Sequence, residues 1–500
     1  MLDELTEADH VVVGSRLGQE LLKSHGITEY RAEPQTPIDA ADLVSSLGVQ
    51  AALVVGKPDL AEVLVSAGCP VVFLDSLPFL WTDRDAVPFD VDTYCAQRCI
   101  PEPAWSVLRK IKRLVWVDSV VPKAATVSEK RDGAVLNVGG LHSPFSGRVG
   151  DAYVEVVVPP AIDAIVAEGL RIRAVCGNLS SAQVEWIRGR VPADCHVGML
   201  SPTDFEAEVT ASSLLLTSPG STTLLQANHC GTSAIALPPQ NLSQVFNAKW
   251  FAGDDGISAV PWPRPVLDPV VLESHRLGGE EEAVRYLYAG IADASGDAEV
   301  ANALHAAIRK AIAATDRIPD RRNPLDLLGY QGAAQVADEV RRLVVRGRQP
   351  DNGRKVYVGG PFQAVLHGDQ LRIHDAYRGL YEDLIDGFEQ RGWRVFNAHR
   401  REAWGAQMLD APTSTRMDFA DIAECDVVVA TPGANPASPG THIELGWASA
   451  LGKKIVLLLQ EGESYAALID GLPAVADVTF VPFRFGSPVS GAVMKVLDKS

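Results

Sequence analysis

The sequence lacks three features: a long apolar run, an excess of basic residues and a secretory start. No apolar segment reaches the roughly 20 residues needed to cross a bilayer, and the acidic residues 1–7 are unlike a signal peptide. The formal net charge is −18, which opposes sequence-independent binding to nucleic acid or to anionic membranes. We therefore expect a cytoplasmic protein whose partners are small molecules, with no role for nucleic acid or membrane.

Cysteine is also scarce, with seven residues in a chain of 500. The number is odd and most of the seven stand in apolar segments, which indicates reduced, buried thiols. Cys95 and Cys99 are close together, but no second Cys or His pair has the spacing of zinc ligands. We predict neither a structural metal nor a cofactor.

The remaining composition, 47% hydrophobic and 22% charged, is that of a globular chain long enough for about three domains. Short apolar runs alternate with helical segments, which predicts an α/β fold with parallel sheets covered by helices. Residues 346–353 are polar with Gly and Pro, as in a linker. We expect domains at 1–128, 129–345 and 354–500, in a chain that forms a homo-oligomer.

One strand-to-helix turn carries the small polar residues of an anion site. Residues 214–217 have the pattern of an apolar strand, and the sequence Ser218-Pro-Gly-Ser-Thr-Thr223 separates them from a helical segment. Small residues allow a diphosphate to approach the backbone, and the N-terminus of a helix carries partial positive charge. The same residues could serve only as a helix cap without a ligand, and the local pattern leaves both interpretations open.

The segment that follows, residues 231–247, contains Pro239-Gln-Asn-Leu-Ser-Gln244. Together with the preceding turn it resembles the donor half of nucleotide-sugar-dependent GT-B glycosyltransferases, the class of the cytosylglucuronate synthases. The resemblance runs over residues 10–345 and implies two Rossmann-like domains that bind a uridine-diphosphate sugar (UDP-sugar). The residues that it assigns to the nucleotide-sugar are Gly140, Ser218, Gly220, Ser221, Thr222, Gln240, Asn241 and Gln244.

A second strand-to-helix turn lies near the C-terminus. Residues 427–430 have the pattern of an apolar strand, 431–440 are rich in Pro, Gly and Ser, and 441–451 have helical spacing. In an open α/β sheet, ligands bind at such a loop. Glu444 falls in the first turn of the predicted helix, where the helix dipole favours an ionised carboxylate, as a nucleophile requires. Alternatively, Thr441-x-x-Glu444 is a capping box that only holds the helix start.

Residues 354–500 resemble the nucleoside 2-deoxyribosyltransferase superfamily, in particular its nucleotide N-glycosidase branch, which includes CMP hydrolases. The resemblance rests on Lys355-Val-Tyr-Val-Gly-Gly-Pro-Phe362, on Asp418 and on Glu444-Leu-Gly446. It implies a third, doubly wound α/β domain in which Glu444 is the catalytic nucleophile and Asp418 orients it and holds the sugar. The residues that it assigns to the substrate are Tyr357, Gly359, Gly360 and Phe362 for the nucleoside, and Ser438 and Gly440 for the 5′-phosphate.

The two resemblances together imply a bifunctional enzyme. One part would release the base of a pyrimidine nucleoside monophosphate, and the other would transfer a sugar, as in nucleoside-antibiotic assembly. Two alternatives stay open: a deoxyribosyltransferase that exchanges bases, and a sensor that binds nucleotides without turnover. GT-B enzymes begin with a strand and a glycine-rich turn, whereas residues 1–9 have the pattern of the helix that should follow them. We therefore expect the first βα unit to be missing, which favours the sensor for this half.

Overall fold

The computed structural model describes residues 4–6, 8–14, 30–99, 103–121, 131–141, 149–251, 258–264, 266–278, 280–315, 328–346, 352–367, 372–434 and 437–498. These residues form three units, each built on a parallel sheet with helices between the strands. The predicted α/β class is therefore confirmed. The expectations for residues 1–9 and for the linker 346–353 fall partly outside the described residues.

The N-terminal unit spans residues 12–117. Its described elements are β1 (Val12–Gly14), β2 (Tyr30–Ala32), α1 (Pro37–Leu47), β3 (Ala52–Val55), α2 (Pro58–Ser66), β4 (Val71–Asp75), β5 (Thr93–Gln97), α3 (Trp105–Leu108) and β6 (Leu114–Val117). Strands β3 to β6 pair in sequence order in one parallel sheet, and β1 pairs with β2 apart from it. Most residues of β4 and β5 are apolar, and both strands are buried along their whole length, as expected of a sheet covered on both faces.

The central unit spans residues 134–346. Its described elements are β7 (Ala134–Asn137), α4 (Val149–Ala167), β8 (Ile172–Cys176), α5 (Ser181–Arg188), β9 (His196–Gly198), α6 (Pro202–Ala211), β10 (Leu214–Thr217), α7 (Ser221–His229), β11 (Ser233–Ala236), α8 (Leu242–Phe251), β12 (Ser258–Ala259), α9 (Pro269–Gly278), α10 (Glu280–Asp293), α11 (Ala298–Thr315) and α12 (Gly332–Arg346). The parallel sheet has the order β12-β11-β10-β7-β8-β9. The strand order therefore reverses between β7 and β10, and a ligand crevice is expected at their carboxyl ends.

Helix α12 leaves the central unit and packs on the sheet of the N-terminal unit. Val336 and Leu343 of this helix are buried in one core with Val72, Leu74 and Val117 of the N-terminal strands. The last helix of the second Rossmann-like unit thus returns to the first, which is the arrangement of the GT-B fold. Because α12 continues to Arg346, the first residue of the predicted linker belongs to a helix.

The C-terminal unit spans residues 355–497. Its described elements are β13 (Lys355–Gly359), β14 (Leu366–His367), β15 (Arg372–Ile373), α13 (Asp375–Glu389), β16 (Arg394–Phe396), α14 (Ala398–Arg401), α15 (Ala411–Glu424), β17 (Val427–Ala430), α16 (Pro439–Ala450), β18 (Lys454–Gln460), α17 (Ala467–Asp470), β19 (Val478–Phe483) and α18 (Ser490–Leu497). The parallel sheet has the order β16-β13-β17-β18-β19. Gly359 pairs with Ala430, so the carboxyl ends of β13 and β17 lie side by side.

The three units meet at a group of charged side chains that we call the arginine–glutamate cluster: Arg113, Glu339, Arg342, Glu389 and Arg400. Arg400 Nη1 lies 2.6 Å from Glu389, and Arg342 Nη2 lies 3.1 Å from the same carboxylate. Arg113 contacts both glutamates. The charges are paired across all three units, which is the condition for charged groups to be buried without a large penalty.

Candidate active site and nucleotide-sugar site

The carboxyl end of β13 is kept free of side chains by two glycines. A Cβ atom at Gly359 would lie 2.8 Å from Cε1 of Tyr357 and 3.0 Å from Oε2 of Glu444. A Cβ atom at Gly360 would collide with the Tyr381 hydroxyl. The predicted glycine turn is therefore needed first by the protein itself, since it allows the Glu444 carboxyl to reach the end of the strand.

Helix α16 begins earlier than the sequence pattern indicated. Ser438 is its N-cap, and the Ser438 hydroxyl accepts hydrogen bonds from the Thr441 backbone N–H at 3.4 Å and the Thr441 hydroxyl at 2.9 Å. Glu444 therefore lies in the second turn, and both the first-turn placement and the capping-box interpretation are wrong. The physical reason is Pro439, which is favoured at the first position of a helix because it has no N–H to satisfy. The helix dipole acts mainly within the first turn, so it contributes less to Glu444 than we expected.

The Glu444 carboxyl is a buried acid whose hydrogen bonding is incomplete. Its Oε2 atom is buried and has no hydrogen-bond partner in the described part of the chain. Burial and, to a lesser degree, the charge of Asp418 raise the pKa of Glu444 to about 8, although the Tyr357 hydroxyl and Arg401 oppose the increase. The Tyr357 hydroxyl is itself buried, and although it lies close enough to affect this pKa, the two groups are outside hydrogen-bond geometry.

Asp418 is held by an arginine that the sequence pattern did not indicate. The Arg401 guanidinium lies 2.7 Å from Asp418 through Nη2 and 3.0 Å from Asp421 through Nη1. The rings of Phe419 and Trp447 meet edge to face at 5.5 Å and connect α15 with α16. Arg401 thus fixes the helix face that presents Asp418 to the site. In the sequence, two adjacent arginines that follow a strand look the same whether they form buried ion pairs or lie at the surface.

An aromatic stack lies beside the glycines. The His399 ring is 4.1 Å from the Tyr381 ring and 4.5 Å from the Phe362 ring, measured between centroids. Burial lowers the pKa of His399 to about 4, and His399 Nε2 donates to the Pro361 carbonyl at 3.0 Å because a carbonyl can only accept. The stack is therefore neutral, and the His399 ring packs against one side of the half-buried Phe362 ring.

The placement of Tyr357 differs from that expected of a nucleoside contact. Only 1% of its surface is exposed, so its ring belongs to the core and its hydroxyl alone reaches the carboxyl group of Glu444. Phe362 stays half-buried and keeps a face for a ligand. Gly440 is exposed at the start of α16, where free backbone N–H groups favour an anion.

The predicted nucleotide-sugar residues also come together. Gly140 has a φ of +90°, and a Cβ atom there would lie 2.9 Å from the amide nitrogen of Gln244, 3.4 Å from that of Asn241 and 3.7 Å from that of Gln240. Gln240 Nε2 donates to the Gly139 carbonyl at 2.7 Å. These side-chain amides are about a hundred residues away from Gly140 in the sequence. In the fold they converge on the turn at the carboxyl end of β7.

Ser218 and Gly220 have different roles at the start of α7. Ser218 is 2% exposed and accepts a hydrogen bond from Gln240 Nε2 at 3.1 Å, so its hydroxyl supports the turn. Gly220 is the N-cap, and Ser221 and Thr222 follow it at partly or fully exposed positions of the first turn. The nearest atoms to a Cβ on Gly220 would be 3.9 Å away, so the protein leaves space in front of this helix end.

Two features are absent from the described residues. No three His, Cys, Asp or Glu side chains there are grouped as metal ligands would be. No helix in these ranges is long and apolar enough to cross a membrane.

Comparison with known proteins gives independent information. The profile of a family described as nucleoside 2-deoxyribosyltransferase matches residues 370–491. The CMP N-glycosidase BcmB of Clostridium botulinum is 35% identical, over 29% of this chain and 100% of that chain, with a TM-score of 0.22. The solution structure of BlsM is 44% identical, over 29% of this chain and 93% of that chain, with a TM-score of 0.26.

The N-terminal region has structural neighbours of the GT-B glycosyltransferase class. One is the spinosyn forosaminyltransferase SpnP, which is 15% identical over 68% of this chain and 93% of that chain, with a TM-score of 0.34. Among curated protein sequences, none matches this chain.

Proposed function

The chain belongs to the nucleoside 2-deoxyribosyltransferase family, and from this premise we propose that its C-terminal unit hydrolyses the N-glycosidic bond of a pyrimidine nucleoside 5′-monophosphate through a covalent intermediate on Glu444. The observation that carries the proposal is the buried Glu444 Oε2 atom without a hydrogen-bond partner in the described residues. A buried polar atom of this kind costs free energy unless a ligand meets it. Because this oxygen lies at the glycine turn, a sugar carbon has room to approach it.

The reaction has two steps with a balanced exchange of bonds. The ionised Glu444 carboxylate attacks C1′ as the C1′–N bond breaks, and the base leaves with the bonding electron pair and takes up a proton. Water then attacks C1′ and releases a proton, which balances the proton taken up by the base, while the bond between C1′ and Glu444 breaks and the carboxylate is restored. This is the retaining mechanism of glycosidases, which passes through an oxocarbenium-like state.

The surrounding side chains act on the orientation of Glu444. Asp418, fixed by Arg401 at 2.7 Å, is available to hold the sugar hydroxyls and keeps the site negative where the ring becomes positive. The Tyr357 hydroxyl can donate to the carboxylate once substrate settles the site. Ser438 and the N–H of Gly440 stand at the start of α16, where a 5′-phosphate is favoured.

Cytidine monophosphate is the first substrate to test. The relative that is 35% identical over its full length is a CMP N-glycosidase. We expect the full chain to release free base from one or more nucleoside 5′-monophosphates, measured by chromatography, and more slowly from the matching nucleoside. Release only when a second base is present would identify base exchange instead. Binding without release from the whole panel would identify a sensor and overturn the hydrolase proposal.

For the N-terminal and central units we propose transfer of a sugar from a UDP-sugar, with the freed base as the acceptor. The support is the convergence of three side-chain amides on Gly140 and the open helix end at Gly220. Amide groups suit the sugar hydroxyls, and the helix end suits a diphosphate. Calorimetric titration of the full chain with UDP-sugars tests this half, and a lack of affinity for every UDP-sugar tested would remove it.

A further inference from the structure

Two contacts join the N-terminal unit to the segment that supports the Glu444 site. Trp116 Nε1 donates a hydrogen bond to the backbone carbonyl of Arg401 at 2.6 Å. Met417, the residue before Asp418, is 6% exposed and lies in the core cluster of the N-terminal unit that also contains Trp105. The N-terminal unit therefore supplies part of the protein wall behind the carboxyl groups of Asp418 and Glu444.

The Arg401 carbonyl stands at the entrance of a strained turn. Ala403 and Trp404 have φ values of 50° and 57°, a left-handed conformation that residues with a side chain adopt only when their surroundings enforce it. The buried carboxylate of Glu402 accepts a hydrogen bond from the Leu409 N–H at 3.1 Å and closes the far side of the turn. On the near side, the Trp116 indole fixes the carbonyl from which the turn departs.

We propose that Trp116 is a positioning residue for the hydrolase site, so that the N-terminal unit completes this site across the unit boundary. The indole N–H holds the Arg401 backbone, the Arg401 guanidinium holds Asp418, and Asp418 orients the sugar and Glu444. The inference rests on the proposed hydrolase function. It assigns to the glycosyltransferase-like half a second role, which is to keep the hydrolase site assembled.

The experiment compares two tryptophans of one aromatic pair in the full chain. Trp105 and Trp116 meet edge to face at 5.7 Å, but Trp105 Nε1 has no hydrogen-bond partner in the described residues. Trp116→Phe and Trp105→Phe therefore remove similar ring volumes, and only the first removes the hydrogen bond to Arg401. We expect Trp116→Phe to lower kcat for nucleotide hydrolysis about tenfold with little change in KM, as for other groups that orient a functional residue from behind. Trp105→Phe should leave kcat near that of the parent.

A double-mutant cycle separates positioning from general packing. If Trp116 acts through Asp418, Trp116→Phe should have little further effect on kcat once Asp418→Asn is present, because the two changes are coupled. Equal losses of kcat from Trp116→Phe in both backgrounds would overturn the proposal. Equal losses from Trp105→Phe and Trp116→Phe would overturn it as well, since packing alone would then explain the effect.

Hydrogen–deuterium exchange provides a reading that does not depend on activity. Trp116→Phe should raise the exchange of residues 398–424 over that of the parent, whereas Trp105→Phe should not. If the parent releases no base, the proposed function fails, and exchange alone decides whether Trp116 fixes the Arg401 segment. If the parent is active and Trp116→Phe matches it in both kcat and exchange, the positioning role fails while the proposed function stands.

Discussion

The two candidate sites of this chain differ in the hydrogen bonding of their buried polar groups. At the nucleotide-sugar site, the buried Gln244 side chain accepts a hydrogen bond from the Gln240 backbone N–H, and the side-chain amides of Gln240 and Gln244 both donate to the Gly139 carbonyl. At the C-terminal site, the Tyr357 hydroxyl and the Glu444 Oε2 atom are buried with no hydrogen-bond partner in the described residues. The nucleotide-sugar site is therefore a rigid scaffold that presents backbone N–H groups. The C-terminal site holds a reactive group that lacks hydrogen bonds until a substrate binds.

Unsatisfied buried groups cost about 1–3 kcal/mol each, so the difference distinguishes binding from chemistry. A turn that holds a sugar donor without bonding covalently to it gains from rigid, satisfied hydrogen-bond donors, because its own groups do not change charge during transfer. A nucleophile must bond to carbon, and solvation or strong hydrogen bonds would stabilise its resting state instead. We therefore expect that the C-terminal site gives up stability for catalysis and that the central site does not.

The largest effect is expected from Glu444→Gln, which removes the nucleophile and keeps its size. Turnover of the monophosphate should fall by about three orders of magnitude or more, while substrate still binds. Base release by this variant at the parental rate would overturn the mechanism. The comparison is with the parent chain, with chromatography to measure base release and calorimetry to measure substrate binding.

The same variant should be more stable than the parent at high pH. Burial raises the pKa of Glu444 to about 8 from an ordinary value of 4.5, so the folded state favours the protonated carboxyl. Ionisation then destabilises the parent progressively as pH rises from 4.5 to about 8. Gln cannot ionise, and the gain in the free energy of unfolding should grow through this window, as measured by denaturant titration.

Asp418→Asn should give the next largest effect, a fall in kcat of about a hundredfold through lost orientation. It also removes a charge that raises the pKa of Glu444. If ionised Glu444 is the nucleophile, kcat/KM of the parent should rise with pH up to about 8, and the variant should show this rise at lower pH.

Asp421→Asn is the matched control for Asp418→Asn. Asp421 also binds Arg401, at 3.0 Å, but it is not among the groups that shift the pKa of Glu444. Its replacement should leave the position of the rise unchanged. A pH profile that moves equally in both variants would contradict the assignment of Asp418 as the carboxylate coupled to Glu444.

Gly220→Val tests the central site, where we expect UDP-sugar affinity to fall about 10- to 100-fold, or roughly 1.4–2.8 kcal/mol. The glycine has an extended backbone with φ −72° and ψ 130°, and a Cβ atom would make only ordinary van der Waals contacts, the nearest at 3.9 Å. Loss of affinity in calorimetry would therefore report on the ligand. Gly189→Val, at a C-cap with φ −69°, should leave affinity unchanged, and unchanged affinity in Gly220→Val would remove the diphosphate from this turn.

Local sequence patterns predict the elements of both sites well, and they fail where distant side chains meet. The strand Val427–Ala430 is confirmed at its predicted bounds, because an apolar run between turn residues has few alternatives. The start of α16 was misplaced, although the pair Ser438-Pro439 carries the signal of a cap followed by a first-turn proline. That pair outweighs the Thr441-x-x-Glu444 pattern.

The partners of the catalytic carboxylates were beyond the reach of such patterns. Arg401 holds Asp418, and Trp116 of another unit holds Arg401. Neither residue has a periodic position or a spacing relative to Glu444 that local rules could detect. Such contacts depend on the packing of α14 against β6, which the sequence determines only through the complete fold.

The smallest effect is expected from Ser438→Ala, which removes a hydroxyl at the proposed phosphate site. Two consequences should follow, because the Ser438 hydroxyl also caps α16. Loss of the cap should cost about 1 kcal/mol of stability, and loss of a phosphate hydrogen bond should weaken monophosphate binding about tenfold relative to the nucleoside. Ser201→Ala is the matched control, since Ser201 caps α6 and is also followed by a proline. It should show a similar loss of stability in thermal unfolding and no change in the ratio of monophosphate to nucleoside affinity. If both variants leave that ratio unchanged, Ser438 is a cap alone, and the 5′-phosphate is bound elsewhere.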